Sequence, residues 1–202
     1  MAKARQINLS LSDFPAGWQT TAPTPVTLGP GFPAFLSCLH FNNARSGQTA
    51  EEFSPNFSLP SQLGGTSVVA NSEVFVYSSD AAAQSVYGVV TGPNIPGCIQ
   101  AGLTEEVEKT SSFPRGSVPK VDVTAVPPPS TGGAPASAYM ANVSLQNNGQ
   151  TTTAGLALFV LLASGRALVD VNTVGLFGHT FPPQLASSLV STVANRAGSS
   201  GL

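Results

Sequence analysis

The sequence predicts an α+β fold, an antiparallel β-sheet with helices packed on one face. Three observations carry this reading. Residues 139–174 alternate as strands and are broken by two tight turns, Asn147-Asn148-Gly149-Gln150 and Ser164-Gly165-Arg166. Asn-Gly tolerates the positive φ that a hairpin turn demands, so a three-stranded meander follows. Ser67 to Tyr77 also alternates, and it runs through Ser78-Ser79-Asp80 into a helical pattern from Ala81 to Val90. Finally, Leu185, Leu189 and Val193 recur at the spacing of one helix face.

Taken in order, residues 1–12 are a polar lead-in with one alternation, Ile7, Leu9 and Leu11. Asp13 can cap a single turn, Pro15 suits its start and Gly17 its stop. Trp18 has two readings, a sugar-stacking platform or a plug over one edge of the core, and the plug is favoured. Residues 19–34 form a loop rich in Thr, Pro and Gly. Phe35-Leu36-Ser37-Cys38-Leu39 reads as a helical turn with Cys38 inside, and Asn42 to Thr49 as a polar turn. Glu51 to Leu59 is a short strand anchored by Phe53, Phe57 and Leu59, with Pro55 marking it as an edge or irregular strand.

In the strand ending at Tyr77, the face carrying Val68, Ala70, Ser72, Val74 and Val76 is smaller and more apolar, and is expected to meet the helices. Asp80 is the expected N-cap of the following helix, and Ala82, Val86, Val89 and Val90 its apolar side. Gly92 to Gly97 breaks that helix, and a second one opens at Cys98. Glu105, Glu106 and Glu108 are expected to face solvent. Val118 to Val126 is a strand, and Pro127-Pro128-Pro129 a stiff connector. Thr151 to Ala163 is apolar on both sides in its second half, hence central. The last helix opens at Phe181-Pro182-Pro183 and ends near Arg196. The expected organisation is a flexible N-terminus (1–6), a single domain (7–197) and a disordered tail (198–202).

Composition narrows the function. Charged residues are 9% of the 202-residue chain, against about 25% in an average domain, and the deficit is made up by small polar residues. The three lysines (Lys3, Lys109, Lys120) and five scattered arginines form no basic stripe, so nucleic acid and anionic membrane surfaces lack a complement. The longest apolar run, Ala154 to Ala163, is about half the ~20 residues a spanning helix needs. The N-terminus does not lead into a signal-peptide core, so a literal reading is cytoplasmic. Cys38 and Cys98 can be read as a redox pair, a shared metal site, two buried thiols or a structural disulfide; the disulfide is favoured.

No catalytic motif emerges. His40 and His179 have no partner by spacing, no serine sits in a G-x-S-x-G elbow, and no zinc, phosphate-loop or dinucleotide pattern occurs. No cofactor is expected. Asp13 and Asp80 read as caps, and Asp122 and Asp170 lie on strands, Asp170 on the less apolar side. Arg166 can hold an anion or simply occupy an exposed turn.

The succession Leu11-Ser12-Asp13-Phe14-Pro15-Ala16-Gly17-Trp18, Ser37-Cys38-Leu39, Asp80-Ala81-Ala82-Ala83, Gly92-Pro93-Asn94-Ile95-Pro96-Gly97-Cys98-Ile99, Gly165-Arg166 and Phe181-Pro182 before a helix ending in Arg196 resembles uncharacterised actinobacterial exported proteins and lipoproteins. Their domain is similar to the extracellular sensor domains of mycobacterial Ser/Thr kinases and to the PsbP-like α/β sandwich. The resemblance spans residues 7–197. It implies an exported domain with its two cysteines bonded and a binding or sensor role at the cell envelope, and no catalytic residue. The expected partner is a small molecule, a lipid or cell-wall component, or another envelope protein. The expected site is a groove between the sheet and the broken helix, lined by Trp18, Phe75, Tyr77 and Tyr87. The alternatives are a protein-interaction module using an exposed sheet face and, third, a hydrolase-type enzyme.

Overall fold

A computed structural model describes residues 2–23, 29–39, 46–60, 66–110, 118–147 and 149–202. His40, residues 42–45 of the expected polar turn and Asn148 of the expected hairpin turn lie outside these. Among the described residues, five helices and eight strands follow one another: α1 (Ala2–Ile7), a 3-10 turn (Leu11–Asp13), β1 (Gln19–Thr21), α2 (Gly31–Cys38), β2 (Gln48–Phe53), β3 (Asn56–Pro60), β4 (Thr66–Tyr77), α3 (Asp80–Val90), α4 (Ile95–Thr110), β5 (Val118–Val126), β6 (Ala136–Asn147), β7 (Gln150–Ser164), β8 (Ala167–Leu176) and α5 (Pro183–Ser199). The strands form one sheet in the order β1-β3-β4-β8-β7-β6-β5, with β2 also paired to β4. Every pairing is antiparallel. The fold is α+β, and the predicted meander is β6-β7-β8.

The sheet is clothed on both faces. On the first, Val68, Ala70, Val74 and Val76 of β4 join Val160, Leu162, Val169 and Val171 beneath Leu189, Val190 and Val193 of α5 and Ala4 and Ile7 of α1. On the second, Tyr77, Ala163 and Leu168 pack on Ala83 and Val86 of α3, with Phe75, Tyr87, Val90 and Leu161 around them. Helix α4 contacts β5, whose buried Val121 shares the second face, since Val123 lies opposite Ala141, Ala141 opposite Ala157 and Leu161 opposite Asp170. The helices are therefore divided between the faces, rather than gathered on the one carrying Val68. The physical reason lies in the central strands. In β8, Ala167, Leu168, Val169, Val171, Asn172 and Thr173 are all buried, and a strand apolar on both sides needs a cover on both.

Both ends depart from expectation. Ala2–Ile7 is helical with Ala4 and Ile7 buried, and α5 continues to Ser199 with Leu202 packed against the core. A polar clasp joins them: Arg196 donates to both Asp13 carboxylate oxygens, at 2.8 and 2.6 Å, and to the Asn8 carbonyl at 2.9 Å. Asp13 also closes a capping box with Ser10, the N-cap of the 3-10 turn. Burial works to raise the Asp13 pKa, but the hydrogen bonds from Arg196 and Ser10, with the Arg196 charge, outweigh it and hold the carboxyl below its ordinary value. At α3 the cap is Ser79, whose hydroxyl accepts from the Ala82 amide at 3.2 Å. Asp80 is the first helical residue there, where its charge suits the helix dipole.

Cys38 and Cys98 are disulfide-bonded, joining α2 to α4. Cys98 is fully buried, but Cys38 is exposed rather than inside. Gly31 and Gly102 meet at the crossing of the two helices, where a Cβ on Gly31 would run into the Gly102 carbonyl. Glu106 does not simply face solvent: its carboxylate accepts from the Gly31 amide at 3.0 Å, closing the start of α2.

Candidate functional site

Pro55 has no N–H to donate, so pairing along the outer side of β4 is interrupted at Ser54-Pro55. The expected single strand is thereby split into β2, opposite Glu73 to Tyr77, and β3, opposite Thr66 to Ala70. Ser54 fills the junction. Its amide donates to the Ser72 carbonyl at 2.9 Å, and its hydroxyl accepts from the Ser72 amide at 2.8 Å. The junction leaves a shallow surface indentation lined by Pro23, Phe53, Ser54, Asn56, Asn71, Ser72 and Glu73. Small-molecule sites commonly enclose about 300–1,000 Å³. This indentation is a shallow surface dent without room for a water-sized molecule, so it is not a pocket of that kind.

Behind it runs a ladder of polar side chains across the second face. Register puts Asn71 opposite Asn172 and Glu73 opposite Asp170, with Phe159 and Leu161 next along on the same face. Asn56 donates to the Ala22 carbonyl at 3.0 Å, and Asn71 donates to the Asn56 amide oxygen at 3.0 Å. Asn172 donates to Asn71 Oδ1 and to Asp170 Oδ2, each at 3.1 Å. The ladder thus has a direction, and it ends on acceptors. Asp170 Oδ1 and Asn172 Oδ1 are buried and receive no hydrogen bond from the described residues. Asn172 is 5% exposed. Asp170, Asn71, Phe75, Phe159 and Leu161 are half-buried, so the strip is covered only in part.

A buried acceptor without a donor is costly, and natural structures hold few of them. The electrostatics agree. Burial drives the Asp170 carboxyl up to about 6, against the opposing hydrogen bond from Asn172. Tyr77, further along the face, is pushed up to about 12, first by burial and then by the Glu51 carboxylate. Tyr139 is raised by burial and by Tyr87, against a hydrogen bond from Ser137.

Of the four residues expected to line a groove, three meet and one lies apart. Phe75, Tyr77 and Tyr87 come together beneath α3; Tyr77 is buried, and the Tyr87 hydroxyl lies 3.3 Å from that of Ser137. Trp18 lies on the first face, packed on Phe14 and Phe181 with ring centroids 4.6 and 5.6 Å apart. Asp122 is an exposed partner of Lys120. Asn56, Asn71 and Asn172 were not singled out by sequence reasoning. Their sequence signal is a polar residue on the inward side of otherwise apolar strands, which becomes a ladder only once the register is known.

The exposed end of the first face carries Lys120, Asp122, Thr124 and Asn142, a solvated polar surface. Among the described residues, no three His, Cys, Asp or Glu gather as metal ligands, and no helix is long and apolar enough to cross a membrane.

No family model and no curated protein matches the chain. Among solved structures, the extracellular domain of PknH from Mycobacterium tuberculosis is similar over 96% of this chain and 96% of its own, at 13% identity and a TM-score of 0.48. An uncharacterized protein (Rv0999 ortholog) from Mycobacterium smegmatis is similar over 98% of this chain and 96% of its own, at 15% identity and a TM-score of 0.43.

Proposed function

We propose that this chain is a non-enzymatic binding domain of the cell envelope, acting through the half-open polar strip of the second face. One observation carries the reading: two acceptor oxygens, on Asp170 and Asn172, are held under a partly covered strip without a donor. Such an arrangement spends stability on a surface that the fold does not need, which is the signature of a recognition site. Carboxamides neither take up nor release protons at ordinary pH. The carboxamides of the ladder are therefore suited to holding a ligand in register.

The Cys38–Cys98 bond supports an oxidising, extracytoplasmic setting. Phe75 and Tyr87, at the edge of α3, flank the strip and remain the aromatic candidates from the original set. Trp18 belongs to the core of the opposite face. The exposed end of the first face offers mostly polar side chains and the Lys120–Asp122 pair rather than a continuous apolar patch, which sets the protein-interaction alternative second.

Thermal-shift screening against cell-wall fragments, lipids and small metabolites, followed by NMR mapping of any hit, tests the proposal. Binding that moves the side-chain amides of Asn56, Asn71 and Asn172 is expected. Hits that map only to the first face would refute it.

A further inference from the structure

The turn that leaves β8 carries a residue that its backbone disfavours. Leu176 to His179 closes with the His179 amide donating to the Leu176 carbonyl at 3.0 Å. Both central residues have positive φ, 52° at Phe177 and 82° at Gly178. Turns with two positive φ values are the place of Asn-Gly, Asp-Gly or Gly-Gly. A bulky side chain in that region crowds its own backbone. Among the described residues, Phe177 is the one non-glycine held there. Burial of the ring would offset the strain, yet Phe177 is 78% exposed. Neither the turn nor the core therefore calls for this side chain.

The conformation is nevertheless fixed from several sides. The Phe177 amide donates to the Ala154 carbonyl of β7 at 2.9 Å. Behind it the chain folds back onto β8, where a Cβ on Gly175 would run into the His179 carbonyl. Backbone strain held in place by its surroundings is a mark of function. The ring stands at the end of the sheet on a rigid mount, so little ordering is left for a ligand to impose.

The neighbouring residues define what the ring can meet. Thr151, Thr152 and Thr153 lead up to Ala154 and are exposed, as are His179 and Thr180 beyond the turn. Residues 53–72, 123–165 and 171–195, which include the neighbouring strand ends, hold no Asp, Glu, Lys or Arg. A charged ligand finds no counter-ion among them. An apolar partner would cover the threonine hydroxyls without replacing their hydrogen bonds to water, which is costly. A neutral saccharide matches both features. Its C–H groups rest against the electron-rich face of the ring, and its hydroxyls exchange hydrogen bonds with those of threonine.

We infer that the Phe177 turn is a contact site for a neutral saccharide, with the ring as the stacking platform and the threonine hydroxyls beside it fixing the orientation. This site lies apart from the polar strip and does not depend on the reading of that strip.

The test is an NMR titration of the folded full chain. The probes are glucose, mannose, cellohexaose, maltohexaose and mannohexaose, compared with an acidic galacturonate hexamer and with phosphatidylcholine vesicles. Monosaccharides and hexamers separate a free sugar from a polymer as the source. The neutral sugars are expected to move the Phe177 ring signals and the amide signals of Thr153, Gly178 and Thr180. Phe177→Asn keeps a residue that tolerates positive φ and removes the ring. It is expected to weaken binding about tenfold or more while leaving the urea midpoint unchanged or higher, and Phe177→Tyr is expected to retain binding. Saccharide binding undiminished by Phe177→Asn overturns the inference. So does a lowered urea midpoint in that variant, which would show that the ring serves the fold. Signals at Phe177 that respond only to vesicles or only to the acidic hexamer, or to none of the probes, overturn it as well.

Discussion

Asp170→Asn isolates the physics of the polar strip. In the native chain the Asp170 carboxylate accepts one hydrogen bond from Asn172, and its other oxygen is buried without a donor. Burial raises its pKa from 3.8 to about 6. The folded state therefore binds the proton more tightly than the unfolded state does. Stability from this group is full below 3.8, falls as pH rises through the interval, and is lost above about 6. At ~1.4 kcal/mol per pH unit, the loss at neutral pH amounts to about 3 kcal/mol, an upper bound because Asp170 is only half-buried. Asparagine has the same shape and no charge. Its oxygen still accepts from Asn172. The variant is expected to be more stable than the parent by about 1–3 kcal/mol at pH 7.5, with the difference vanishing below about pH 4. Urea unfolding followed by tryptophan fluorescence at a series of pH values measures this directly, since Trp18 is buried in the core. A variant less stable than the parent at neutral pH, or a difference independent of pH, would show that the carboxylate is satisfied and would refute the reasoning.

Other consequences follow from the braces around the strip. Reduction of the disulfide, to which exposed Cys38 gives access, or Cys98→Ser is expected to cost up to about 4 kcal/mol, the chain-entropy value for a loop of 60 residues; calorimetry with and without reductant reads it. Gly31→Ala is expected to cost about 1–3 kcal/mol, because a Cβ there drives α2 off the Gly102 carbonyl of α4, and the loss should appear as a lower urea midpoint. Arg196→Ala is expected to cost about 1–3 kcal/mol at pH 7 by leaving Asp13 without its partner. Because folding lowers the Asp13 pKa, the stability it contributes is present above 3.8 and lost as pH falls through the lower folded value. The penalty of Arg196→Ala should therefore shrink in acid, and a penalty constant from pH 7 to pH 2 would contradict this account.

Strand periodicity made the meander and β4 legible, and the last helix was visible in Leu185, Leu189 and Val193, because local alternation is a property of the chain itself. The break after Val90 and the irregular edge at Pro55 were equally local, since glycine and proline act on their own backbone, although α4 opens at Ile95 rather than at the expected Cys98 and so takes in Pro96 and Gly97. Helix α1 was missed. Ala2–Ile7 is a helix of only six residues, and it is held because Ala4 and Ile7 find a core to enter. The placement of Trp18 beside Phe14 and Phe181, and the engagement of Arg196 by Asp13, join residues from opposite ends of the chain.

By itself the sequence determined the strands from β4 to β8, the antiparallel class and the two cysteines available to bond, while β1 was read as loop and the start of β2 as a polar turn. The tertiary structure alone decided that both faces of the sheet are covered and that Asn56, Asn71, Asn172 and Asp170 line up. Those residues sit on three strands, and their meeting depends on register, which is set by long-range pairing and by the interruption at Ser54-Pro55. A shift of one residue would turn every one of these side chains to the other face.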